Sequence, residues 1–256
     1  MRPYVLQETT LKSVRDNPPQ AVVLPWGATE PHNLHLPYGT DAITVTRIGE
    51  MLCEKAWSRG ARAYLLPTIP FGVNTNLLAF PLVINMNPST QLAVIRDIVG
   101  SLKAGGVKKL LLVNGHGGND FNPVQRELFD CGVFIAVCNW WQVCEDVSRK
   151  IFDKVGDHAD EMETSVGLHL FPNLMAPVSQ ADAGQTRRTR FEAINNGWVK
   201  ITRPWDKLTT NSGVGDPSKA SVEKGRKFID LAVERISAFL AEFAIAEMDP
   251  LFPYKE

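Results

Sequence analysis

Cysteine is scarce in this chain. There are four among 256 residues, Cys53, Cys131, Cys138 and Cys144, and no two form a CxxC pair. That spacing excludes a zinc ribbon and a disulfide framework, and leaves the thiols as small apolar side chains in a reducing compartment. Long apolar runs are also missing. None reaches the ~18–20 residues needed to span a bilayer, so no membrane partner is expected. The opening segment MRPYVLQETT lacks an apolar h-region and does not read as a signal peptide. The expected location is the cytoplasm. Charge of one sign is lacking too: the net charge is −1, with both signs mixed along the chain. This argues against nucleic acid or a charged membrane surface as partner. One local exception is the basic run TRRTRFE at 186–192, read as a solvated loop, with a small anion or a subunit contact as the other reading. There is no internal repeat, low-complexity tract or evident interdomain linker. The length would suit one large domain or two small ones, and residues 1–256 are expected to form a single domain.

What is present is an alternation of short apolar runs with helical patterns. AVVLPWG (21–27) reads as a buried strand and DAITVTRIGEMLCEKAWSRG (41–60) as an amphipathic helix ending at Gly60. ARAYLLPTIP (61–70) looks like a second strand, and NPSTQLAVIRDIVGSLKAGG (87–106) has a helix start, helical spacing and a Gly-Gly stop. VKKLLLVNG (107–115) is a continuous apolar run of the parallel-sheet type. A helix near 120–131, a strand over 132–141 and a helix over 160–171 follow, and residues 218–244 form a long amphipathic helix interrupted in pattern by Gly225. Strand–helix repetition predicts an α/β layered fold with a mainly parallel sheet. In such folds ligands collect beyond the carboxyl ends of the strands.

The polar clusters sit where that rule needs them. GATEPHNLHLPYGTD (27–41) follows the first strand and carries Glu30, His32, His35 and Asp41. If the backbone is extended there, Glu30 and His32 point to one side. Asp41 has a second reading as a helix N-cap. NGHGGND (114–120) follows a buried strand, and its glycines let His116 project into a cleft. A Gly-rich turn before a helix can also cradle phosphate, but GxGxxG and GxxxxGK[ST] are both lacking. HADEMETS (158–165) brings His158, Asp160, Glu161 and Glu163. Asp160 and Glu163 share a helix face, and an acidic first turn favoured by the helix dipole is the plain alternative. His169, within VGLHLF, reads as a core or interface residue. Mixed carboxylate and imidazole donors without thiolate suit Zn²⁺, Mn²⁺ or Fe²⁺. A bridging carboxylate could hold two ions about 3.5–4 Å apart.

The three motifs together, PWGATEPHNLHLPYGTD, NGHGGN and HADEMETS in that order, resemble the creatininase (creatinine amidohydrolase) family over about residues 20–170. The resemblance implies a three-layer α/β/α sandwich and a hydrolase cleaving a non-peptide C–N bond of a small cyclic amide or formamide with metal-activated water. It implies Glu30, His32, Asp41, His116 and Glu163 as metal ligands, with Asp41 as the bridge, and one or two divalent ions, Zn or Mn with Fe as a further candidate. His158 and Glu163 would be the acid–base groups, and the partners a small amide substrate and further copies of the chain, commonly as a hexamer. Formamide hydrolases of pterin and flavin biosynthesis and a peptidase-like enzyme of a redox-peptide pathway share the NGHGGN form. Departures from the family pattern are Asn33 where Gly is usual, Asn76 where His is common, FPLVINM at 80–86, and Gly118 where creatininases carry a Glu. The altered 76–86 stretch motivates an alternative, a non-catalytic protein that binds a small ligand on the same fold. Trp140 and Trp141 either wall a flat substrate or fill the sheet end.

Overall fold

The computed structural model describes residues 2–154 and 156–255. In chain order the elements are α1 (Leu11–Asp16), β1 (Ala21–Trp26), α2 (Thr40–Ser58), β2 (Ala63–Leu65), α3 (Pro88–Ala104), β3 (Lys109–Asn114) and α4 (Asn122–Glu127). They continue with β4 (Phe134–Asn139), α5 (Glu145–Ile151), α6 (Glu161–Leu170), α7 (Glu192–Asn195), α8 (Trp205–Leu208) and α9 (Val222–Ile245). The strands form one sheet in the order β2-β1-β3-β4, with every pair parallel.

Alternation along each strand sorts side chains onto two covered faces. Val23, Leu65, Leu111 and Val113 pack with Ile48 and Leu52 of α2, Val166 of α6 and Phe228 and Val233 of α9. Val22, Leu24, Leu110 and Leu112 pack with Ile95 and Val99 of α3 and Val124 of α4. The result is helices, sheet, helices: the three-layer α/β/α arrangement. A sheet buried on both sides explains why β1 and β3 read as unbroken apolar runs. Each fully buried leucine there contributes about 1.5–3 kcal/mol.

Two differences from the expected elements have physical causes. The strand expected over 61–70 shrinks to Ala63–Leu65. Pro67 and Pro70 carry no N–H for the ladder, yet the chain stays beside β1 through Ile69 N–H donating to the Pro25 carbonyl at 3.0 Å. The strand expected over 132–141 ends at Asn139, and Trp140–Cys144 form a 3-10 turn leading into α5. Gly225, by contrast, does not interrupt α9. A Cβ there would sit 1.9 Å from the Ser165 carbonyl oxygen of α6, so glycine is what lets the two helix backbones touch. This contact fixes the helix that carries Glu163. Among the described residues no helix is long and apolar enough to cross a membrane.

Candidate metal centre

Beyond the carboxyl end of the sheet, four segments meet. The loop after β1 brings Glu30 and His32, the first turn of α2 brings Asp41, the loop after β3 brings His116, and the approach to α6 and its first turn bring His158 and Glu163. Glu30, His32, Asp41, His116 and His158 are all less than 8% exposed, and Glu163 is half-buried. His116 Nδ1 lies 3.0 Å from Glu30 Oε1 and 3.2 Å from Asp41 Oδ2. His32 Nε2 lies 3.0 Å from Asp41 Oδ1. Two donor triads, Glu30–Asp41–His116 and His32–Asp41–Glu163, each have their atoms within 4.8 Å of one another and share Asp41. A third triad of the same compactness joins Glu30, His32 and His158.

Each imidazole is aimed by its outer nitrogen. His32 Nδ1 is 3.1 Å from the Glu30 carbonyl, His116 Nε2 is 3.1 Å from the Val73 carbonyl, and His158 Nε2 is 2.9 Å from the Pro31 carbonyl. A carbonyl only accepts, so in each ring that nitrogen carries the proton. The lone pair is therefore left on the nitrogen facing the carboxylates, the arrangement that presents histidine to a metal. Glu163 is anchored similarly: its Oε2 accepts from the Ala159 N–H.

The alternatives left open by sequence separate here. Asp41 is not the N-cap of α2; Gly39 occupies that position, without a side-chain bond. Asp160 is a cap, accepting from the N–H groups of Met162 and Glu163 at the start of α6. Glu161 turns away and is buried against Lys224. His35 stands apart from the triads and bonds through Nε2 to Thr164 Oγ1 at 2.7 Å, which ties the Glu30 loop to α6. His169 is half-buried in the last turn of α6. Asn33, where the family carries Gly, has φ of 54°. That left-handed conformation favours Gly and is tolerated by Asn, here with the amide Nδ2 donating to Asp182 Oδ1 at 3.1 Å.

The NGHGGN loop is clamped by its own ends. Asn114 Oδ1 accepts from the His116 N–H and from Asn119 Nδ2, while Asn119 Oδ1 accepts from the Val73 N–H. Gly115 N–H donates to the Trp26 carbonyl and Asn119 N–H to that of His116. The Gly115, His116 and Asn119 N–H groups are thus already engaged, and the following α4 has only six residues, both of which count against the phosphate-cradle reading. Gly118 is forced by space: a Cβ there would meet His116 Nε2 at 2.4 Å and the Val73 carbonyl oxygen at 2.5 Å.

Electrostatics shows what the cluster lacks. Among the described residues no Lys or Arg pairs with Glu30 or Asp41; their partners are histidines. Glu30 Oε2 and Asp41 Oδ2 are buried without a hydrogen bond, the latter despite its proximity to His116. Burial works to lower His32, but Asp41, Glu163 and Glu30 outweigh it and raise it to about 10. His116 is raised against burial by Glu30 and Asp41. Asp41, which burial would push up, is held below the usual carboxylate range by His32 and His116. Burial, opposed by His32 but reinforced by Asp41 and Asp160, lifts Glu163 to about 8. Burial and the His32 charge take His158 down to about 4. In the metal-free protein, protons are therefore favoured on the inward-facing nitrogens of His32 and His116 and on Glu163, while the inward Nδ1 of His158 stays bare. Buried carboxylates without a fixed cation, orphaned oxygens and pre-aimed imidazoles are what a hard or borderline divalent ion would satisfy.

A cleft of about 400 Å³ opens onto Glu30, Asp41, His116, His158 and Glu163. The tryptophan pair divides at its mouth. Trp141 lines the cleft, whereas Trp140 is 3% exposed and packs edge-on against Phe228 in the core. Two further lining residues, Arg203 and Trp205, come from the stretch between α6 and α9, the latter at the start of the four-residue α8, and no periodicity announces them. The Trp205 ring meets His158 edge-on with centroids 4.9 Å apart. The basic run nearby is structural in part, since Arg187 donates to the Lys207 and Thr209 carbonyls.

Known proteins share this chain's pattern. A solved protein from Bacteroides fragilis, provisionally assigned as a creatinine amidohydrolase, is 37% identical with a TM-score of 0.91, over 97% of this chain and 99% of its own. A solved manganese form of creatininase is 22% identical with a TM-score of 0.78, over 95% of this chain and 99% of its own, and speaks for the fold. A mycofactocin precursor peptide peptidase from Mycobacterium ulcerans is 27% identical over 85% of this chain and 84% of its own length. A 3-dehydro-scyllo-inosose hydrolase from Thermotoga maritima is 26% identical, and the match spans 57% of that protein. The sequence profile of the creatininase, or creatinine amidohydrolase, family matches residues 7–240. That match takes in all four segments of the cluster and nearly the whole sandwich that positions them, and the chain belongs to the creatininase family.

Proposed function

We propose that this protein is a divalent-metal-dependent hydrolase that cleaves the C–N bond of a small amide, cyclic amide or formamide. The observation that carries this reading is the pair of donor triads sharing Asp41. In it, Glu30, Asp41 and His116 would hold one ion and His32, Asp41 and Glu163 a second, with Zn²⁺ or Mn²⁺ as the metal. A manganese form of a fold relative supports that choice. Such ions, when bound, polarise a carbonyl and acidify water.

The chain's own groups supply proton handling and shape. His158 keeps its Nε2 proton on the Pro31 carbonyl and turns a free Nδ1 to the cleft, so it can take up a proton and deliver it to a leaving nitrogen. Its low basicity in the metal-free cluster comes from burial and the charge on His32. Glu163, held by the Ala159 N–H, is the second acid–base candidate. Position 118 cannot contribute a carboxylate, because a side chain there collides with His116 and with the Val73 carbonyl. Trp205 covers one side of the His158 ring and limits water. Of the divergent 76–86 stretch, Asn76 and Leu77 reach the cleft, while Leu82 is 84% exposed on the surface; nothing there favours the ligand-binding alternative. Two relatives are named for chemically different substrates, one a peptide and one an inosose. Assembly into a homo-oligomer belongs to the same proposal.

The test is elemental analysis of the purified protein joined to a turnover screen of cyclic amides, formamides and short peptides after Mn²⁺ or Zn²⁺ loading. His116→Ala and Glu30→Gln should lose metal and turnover together while retaining the circular dichroism of the wild type. Full metal content and activity in both variants would refute the ligand assignment. A metal-loaded wild type that hydrolyses none of the panel would refute the activity.

A further inference from the structure

Arg203 is the one Lys or Arg among the cleft-lining residues. Its guanidinium carbon lies 5.4 Å over the Trp205 ring, and the same indole meets the His158 ring in a T-shaped contact with centroids 4.9 Å apart. A single indole thus touches both a positive charge and the proposed proton-transfer group. The backbone on either side is pinned: the Arg203 carbonyl accepts from Asn76 Nδ2 at 3.1 Å, and Trp205 N–H donates to the Asn76 carbonyl at 3.0 Å. Stacking and anchoring hold the guanidinium at the rim rather than letting it swing in solvent.

Its donors are only partly used. Arg203 Nη2 donates to Asp157 Oδ2 at 2.7 Å, and both side chains of this pair are about half exposed. A guanidinium has five N–H donors in a planar fork. The remaining edge has no partner among the described residues, and it matches a carboxylate, which takes two parallel hydrogen bonds.

We infer that Arg203 is a specificity-determining residue that binds a carboxylate of the substrate, so that the preferred substrates are small amides bearing a free carboxylate, such as N-acyl or N-formyl amino acids. This rests on the amidohydrolase reading for the bond cleaved, but the recognition step is separable from it. Asp157 holds the fork at the rim, and the incoming carboxylate uses the free edge. Because the contact is half exposed, the preference it confers is moderate, about tenfold.

Calorimetry on the metal-loaded protein with N-acetylglycine and its neutral counterpart N-acetylglycinamide tests the inference without requiring turnover. The wild type should bind the carboxylate about tenfold more tightly. Arg203→Gln should abolish that difference, and Arg203→Lys, which keeps the charge but not the fork, should retain part of it; circular dichroism melting establishes that each variant is folded. Equal affinity for the two probes in the wild type overturns the inference. So does a preference that survives in Arg203→Gln, which would mean that the carboxylate binds the metal directly. Hydrolysis of N-formylglycine and N-formylglycinamide run in parallel distinguishes the two readings. Arg203-dependent binding without turnover supports the carboxylate site and removes the amidohydrolase reading, and turnover of both substrates with no preference does the converse.

Discussion

Replacing Gly118 with Ala adds one methyl group to the loop that carries His116, and the structure says where that methyl must go. It would meet the His116 imidazole at 2.4 Å and the Val73 carbonyl oxygen at 2.5 Å. One of the two must move, and they are bonded to each other, His116 Nε2 to the Val73 carbonyl at 3.1 Å. Loss of that hydrogen bond costs about 0.5–1.5 kcal/mol, and overpacking a tight site costs about 1–3 kcal/mol. The expected destabilisation is about 2–4 kcal/mol, read as a shift in the urea midpoint of the metal-free protein. Because the lost bond aims the ligand nitrogen, metal affinity should also fall about 10–100-fold, read by competition with a chromophoric chelator. Gly117 is the internal control. A Cβ there meets nothing within 4 Å, and Gly117→Ala should stay within about 0.5 kcal/mol of the wild type. Equal effects of Gly118→Ala and Gly117→Ala in both measurements would refute the predicted collision. The same contacts bar any larger side chain at this position.

Two further predictions concern protons and the tryptophan pair. His32 is raised from 6.5 to about 10 and Glu163 from 4.5 to about 8, so their stabilisation of the metal-free fold is complete at pH below their ordinary values and is lost as pH rises through about 8 and then about 10. His158 and His35 are lowered from 6.5 to about 4, by burial and by His32, so their contribution is present above 6.5 and lost as pH falls through about 4. The metal-free protein should therefore unfold at lower urea at pH 9 than at pH 6, and metal uptake at pH 7 should release protons, seen as a binding heat that varies with the ionisation enthalpy of the buffer; a buffer-independent heat would contradict this. Trp140→Ala should destabilise the fold by about 3–5 kcal/mol, whereas Trp141→Ala, at the cleft wall, should alter substrate KM with a stability change below about 1.5 kcal/mol; similar losses of stability in both would contradict their different placement.

Much of this architecture was readable from residue order because the physics is local. β1 and β3 announce themselves by unbroken apolar runs, since both faces of the sheet are covered. β2 does not, because Pro67 and Pro70 end the ladder where apolar character continues. The six residues named for the metal and proton chemistry, Glu30, His32, Asp41, His116, His158 and Glu163, lie in three dense clusters, and a loop at a strand end is where such clusters have chemical use. What residue order could not resolve was competition between local and long-range uses of one side chain. Asp41 stands where an N-cap would stand, and only packing shows that Gly39 takes that place. His35 lies three residues from His32, yet it bonds to Thr164. The carbonyls of Glu30, Pro31 and Val73, which aim the imidazoles, leave no trace in side-chain identity. Arg203 and Trp205 reach the cleft from a stretch with no repeating pattern, and their role depends wholly on tertiary placement.

The Asp41-sharing triads draw on positions from residue 30 to residue 163, delivered by different strands and helices. No short fragment of the chain holds a complete set, so a cation gains its full affinity only once β1, β3 and α6 are already docked. Metal should therefore act as a latch on the finished molecule. It would slow the rate of opening while leaving the rate of refolding nearly untouched, and cellular lifetime would follow metal supply even where synthesis does not.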